Sequence, residues 1–99
     1  MLWLCIRLPA LRHEALAADE GEALERLSSW AYQWSSRVSH RRGDETRASL
    51  LWLELAGSRA LFGEPAALRE RITQSLNELG YSHVSALAPS PSAAALLTL

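Results

Sequence analysis

Ninety-nine residues, 48% of them apolar and 21% charged, suit one small domain with a single core and exclude a wholly disordered chain. The net charge of −1, with ten arginines and no lysine, excludes a global electrostatic pull on nucleic acid, so any contact with phosphate must come from a local cluster. Cys5 is the single cysteine, which excludes an intrachain disulfide and a cysteine-based zinc site.

Residues 2–8 alternate with period two, placing Leu2, Leu4, Ile6 and Leu8 on one face of a strand and Trp3, Cys5 and Arg7 on the other. Pro9 ends that strand. Residues 10–18 read as a short connection with a helical turn around 14–17. Asp19 is placed to cap a helix whose first turn holds Glu20 and Glu22, where negative charge suits the helix dipole. Ala23, Leu24, Leu27, Trp30, Ala31 and Trp34 then recur at helical spacing, which predicts a helix to about residue 36. Residues 38–42 look like a short polar strand, and residues 43–46 like a hairpin turn. A second long strand is expected over 47–55, with Leu51, Leu53 and Leu55 on one face and Leu50, Trp52 and Glu54 on the other.

Gly57 and Ser58 break that strand, and Pro65 suits the first turn of a helix. Leu68, Ile72, Leu76 and Leu79 mark its buried stripe, and Gly80 suits the position just past its end. Residues 81–87 read as a last strand. Pro89 and Pro91 interrupt the chain, and 92–99 start a small apolar helix. The order β-α-β-β-α-β with a helical stub predicts an α+β, ferredoxin-like sandwich over 1–99. Its four-stranded antiparallel sheet would be ordered 4-1-3-2, with both helices on one face. Leu2, Leu4, Ile6, Leu8, Leu51, Leu53 and Leu55 would then face Leu24, Leu27, Leu68 and Ile72 in one core.

Several pieces of the chain carry a likeness in order: the opening Leu2-Trp3-Leu4-Cys5-Ile6-Arg7-Leu8-Pro9, residues 27–34 with Trp30-Ala31-Tyr32, residues 53–63, the Leu79-Gly80-Tyr81 step, and the turn over 86–91. Together they resemble the palm of Y-family (DinB/ImuB-like) translesion DNA polymerases, and among these the catalytically inactive ImuB-type branch. The resemblance implies a place in DNA damage tolerance and SOS mutagenesis, as a scaffold assembling with other mutagenesis or replication proteins in the bacterial cytoplasm. It also implies where metal-binding acids stand in active members: on the first strand, where this chain has Cys5 and Arg7, and in a pair where it has Ser49 and Leu50. Two magnesium ions a few ångströms apart need hard anionic oxygens, which a thiol, a guanidinium, a hydroxyl and a leucine do not provide. Ser90-Pro91 stands where the family carries Asn-Lys. About ten residues between Pro9 and Asp19 replace the fingers segment. No catalytic residue, metal ligand or cofactor is therefore expected, and the chain is read as a non-enzyme. Glu54 alone reads as a solvated strand glutamate.

His13, His40 and His83 lack metal-ligand spacing. No serine has nucleophile-elbow glycines and no phosphate loop is present. On the sheet face away from the helices, Trp3, Cys5, Arg7, Leu50, Trp52 and Glu54 form an expected open patch of the kind that marks an interface with another protein or a second copy of the chain. The rival reading is a small single-strand nucleic-acid binder. It would stack bases on Trp3 and Trp52 and draw phosphate to Arg37, Arg41 and Arg42. The first eight residues are too short for a signal h-region, and no stretch reaches the roughly twenty apolar residues of a membrane span, so a soluble cytoplasmic protein is expected.

Overall fold

A computed structural model describes residues 1–14 and 19–99. Its strands are β1 (Trp3–Leu8), β2 (Val38–Arg41), β3 (Ser49–Glu54) and β4 (Val84–Ala88), and its helices are α1 (Leu11–Glu14), α2 (Glu20–Ala31), α3 (Arg59–Phe62), α4 (Pro65–Glu78) and α5 (Pro91–Leu97). The strands form one antiparallel sheet in the order β2-β3-β1-β4. The fold is thus α+β, with helices packed on an open sheet.

Period-two alternation divides the sheet cleanly. Leu4, Ile6, Leu8, Leu51, Leu53 and Leu55 point to one side, where Leu24 and Leu27 of α2 and Leu68, Ile72 and Leu76 of α4 close over them in the main core. Full burial of each such leucine contributes roughly 1.5–3 kcal/mol, which makes this layer the chief source of stability. Trp34 caps one end of the layer, tilted against Phe62 at 5.7 Å between ring centroids, with the Arg71 guanidinium 5.5 Å from its own centroid.

Local signals place most element ends. Asp19 accepts a hydrogen bond from Glu22 N at 2.7 Å and so caps α2. Pro65 opens α4, and Gly80, at φ +89°, turns the chain away just past its end. The glycine is needed there, because a side chain at that φ is strained.

Four expectations need correction. The α2 helix stops at Ala31 rather than near 36, because Ser35 turns inward: its hydroxyl donates to Glu54 O at 2.6 Å and accepts from Arg37 N at 3.0 Å. Leu79 lies past the end of α4 and is half exposed instead of in its buried stripe. The last strand begins at Val84, not Tyr81, since Ser82 N and its hydroxyl are both tied to the Glu14 carboxylate. Residues 56–62 form a 3-10 turn and α3, helical structure that the Gly57–Ser58 break did not announce. The helical turn expected at 14–17 lies largely outside the described residues. The helix seen nearby is α1.

The largest departure concerns the second face of the sheet, which is not open. The stub expected over 92–99 is α5, capped by the Ser90 hydroxyl accepting from Ala93 N. It folds back over Cys5 and Leu50 through Ala93, Ala94 and Ala95. Alanines allow a helix to approach a sheet closely, and an apolar face bearing two tryptophans gains by being covered.

Candidate binding groove

Strand register arranges the second face in rows. Arg7 on β1 and Arg41 on β2 both pair with Leu50 on β3, so two guanidiniums flank one leucine. In the next row Cys5 and Ser39 flank Trp52, and in the last Trp3 pairs with Glu54. The α5 helix lies along one side. Between it and the sheet runs a groove of about 750 Å³ lined by Trp3, Trp52, Arg7, Arg41, Leu96 and Leu99 among others, none of them acidic. Leu96 and Leu99 are 66% and 83% exposed, so the α5 wall presents bare apolar surface.

Trp52 is pinned in place, its indole Nε1 donating to Pro91 O at 3.0 Å where α5 begins. The face of Trp3 is occupied as well, with the Arg37 guanidinium 5.7 Å from its ring centroid.

Cys5 and Leu50, expected on an exposed patch, are 0% and 2% exposed. Burial pushes the Cys5 thiol up from 9.0 to about 11, although Arg7 and Arg41 favour the thiolate and pull the other way. The neutral thiol is thus favoured in the folded protein. The stability it contributes is complete below pH 9 and is lost as pH rises through 11. Urea denaturation of the wild type and Cys5→Ala, compared at pH 7.5 and pH 10.5, is expected to show a steeper alkaline loss in the wild type. Parallel losses would contradict this account.

Glu54 is not a solvated glutamate. Its carboxylate is buried and accepts from three backbone N–H groups: Leu2 at 2.9 Å, Ala56 at 2.8 Å and Gly57 at 3.1 Å. Burial opposes its ionisation, but the three donors outweigh that and hold its carboxyl below the ordinary range. It clamps the end of β3 to the start of β1 and does not reach the groove chemistry.

Ser49 is likewise committed elsewhere. Its buried hydroxyl accepts from Gly43 N at 3.0 Å and donates to Glu20 Oε1 at 2.7 Å, on the α2 side of the sheet. The three arginines grouped by sequence do not converge. Arg37 covers Trp3, Arg41 enters the groove, and Arg42 lies beyond the end of β2 against Gly21 at the start of α2. His40 Nδ1 is 2.8 Å from the Ser28 hydroxyl and His83 Nδ1 3.0 Å from Tyr81 O. Among the described residues no three His, Cys, Asp or Glu side chains gather as a metal would require.

What sequence reasoning missed is the wall. Pro91, Ala95 and Leu96 matter because the small apolar helix expected over 92–99 returns to the sheet as α5, opened by Ser90-Pro91, a cap followed by a helix-opening proline. Comparison with protein-family models, curated proteins and solved structures yields no match to this chain. No helix among the described residues is long and apolar enough to cross a membrane.

Proposed function

We propose that the chain is a non-catalytic interaction module built as a ferredoxin-like, palm-like sandwich, similar to the palm of ImuB-type Y-family proteins. It would serve as a scaffold in DNA damage tolerance. One observation carries the non-catalytic part: the strand positions where a palm would gather acids hold a buried thiol at Cys5, a guanidinium at Arg7, a hydroxyl already bonded to Glu20 at Ser49, and a covered leucine at Leu50. Two divalent ions and a triphosphate have no anionic cage there. The fold assignment is supported by the order β2-β3-β1-β4 with α2 and α4 sharing one core. The place in DNA damage tolerance rests on the sequence resemblance alone.

The stacking-platform alternative is weakened by the same geometry. Bases need open aromatic faces, whereas Arg37 lies over Trp3 and α5 crosses the sheet beside Trp52. The test is primer extension with magnesium, a primer–template and nucleoside triphosphates. No extension above the buffer control is expected, and template-dependent extension would overturn the reading.

A further inference from the structure

We infer that the groove between the second sheet face and α5 takes an extended acidic segment of a protein partner, with an apolar residue midway between two carboxylates. Charge complementarity is the ground for this assignment. Four arginines elsewhere, Arg12, Arg26, Arg47 and Arg59, each have a carboxylate within 4 Å. Arg7 and Arg41, like Arg37, Arg42, Arg69 and Arg71, have none among the described residues, and of these Arg7 alone has a buried Nε without a hydrogen-bond partner. Both line the groove, whose lining holds no acidic residue, although Arg7 also borders a second cavity with Glu20, Asp44 and Glu45. Leaving the buried Arg7 Nε unpaired beside apolar surface is costly, and an incoming carboxylate relieves that cost with charge-assisted bonds to its guanidinium, while the exposed Arg41 adds a second, solvated cation.

The spacing defines the ligand further. Arg7 and Arg41 stand one strand to either side of Leu50, so their backbones lie about 10 Å apart. In an extended peptide, acidic residues four apart point the same way and span about 13 Å, a difference that long arginine and glutamate side chains close. The residue midway between them faces the same side, towards the bare Leu96 of α5, since Leu50 itself is already covered. A nucleic acid would find only two unpaired cations here, with one face of Trp3 already taken by Arg37.

The inference rests on the interaction-module reading, and the two fail separately: polymerase activity sinks that reading, whereas the experiment here tests only the occupant. The probe is fluorescein-labelled Ser-Glu-Ser-Leu-Ser-Glu-Ser, titrated with the full chain and followed by fluorescence polarisation. The comparison probes are the same peptide with lysine for glutamate, and a labelled ten-nucleotide oligothymidine. Saturable binding of the acidic peptide is expected, weakened by salt and absent for the lysine peptide. Arg41 is exposed, so Arg41→Glu is expected to fold while weakening binding by about tenfold or more. Arg42→Glu, on the α2 side, is expected to leave affinity within about twofold. Unchanged affinity in Arg41→Glu, no binding of the acidic peptide, or tighter binding of the oligothymidine would each overturn the inference.

Discussion

Replacing Gly43 by alanine is expected to destabilise the fold by about 3 kcal/mol or more, the range reached when a side chain is driven into backbone. A Cβ at this position would sit 2.5 Å from Ala48 C and 2.6 Å from Ser49 N, and closer still to Arg47 O. Carbon atoms rest at about 3.5–4.0 Å, so something must move. Backbone is all that faces the new methyl, and it is tied on both sides. Asp44 N donates to Arg47 O at 2.8 Å and Gly43 N donates to the Ser49 hydroxyl at 3.0 Å. Opening the turn breaks those bonds, strands the Glu20 carboxylate that Ser49 satisfies, and shifts β2 against β3. Gly57→Ala is the matched control, because its nearest neighbour, Glu54 Oε1, lies at an ordinary 3.6 Å. Urea denaturation at neutral pH reads both. Equal midpoints for Gly43→Ala and wild type would contradict the turn geometry.

Glu54→Ala is expected to cost a similar amount, about 3 kcal/mol. Three backbone donors lose their acceptor at once, and each partly buried N–H left unpaired costs roughly 1–3 kcal/mol, offset where water can reach Leu2. Glu54→Gln separates charge from shape. It keeps one carbonyl oxygen but turns an amide N–H₂ towards donors, so a loss of about 1–2 kcal/mol is expected at pH 7. The pH dependence has a definite sign. The folded-state pKa lies below the unfolded one, so this stability is present above the unfolded carboxylate range and is lost as pH falls through the folded value. The gap between wild type and Glu54→Gln is therefore expected to be smaller at pH 3.5 than at pH 7. A gap that stays constant with pH would show that ionisation of Glu54 contributes nothing.

These two positions also mark where sequence reading succeeds and where it stops. Signals that act within a few residues were legible. Asp19 caps α2 through Glu22, Pro65 and Gly80 bound α4, and alternation alone assigns Leu4, Ile6, Leu51 and Leu53 to the main core. Glu54 was misread because one of its donors, Leu2, is 52 residues away and meets it only once β1 and β3 pair. Arg37, Arg41 and Arg42 look like one cluster on paper. Strand alternation and the end of β2 send them to three different surroundings. The groove depended on α5 folding back over β1 and β4. That is a tertiary choice, and no local preference of an alanine-rich segment announces it.

The small helix over Cys5 makes the protein its own gauge of opening. With seven residues, an indole bond at Pro91 and contacts made largely by alanines, α5 is held to the sheet by a small set of contacts. A soluble disulfide reagent reaches the sulfur only during moments when that cover lifts. The rate of chemical tagging at neutral pH, divided by the rate for a free thiol, then counts those moments. Anything that seats beside Leu96 and steadies the cover would slow the tagging in proportion.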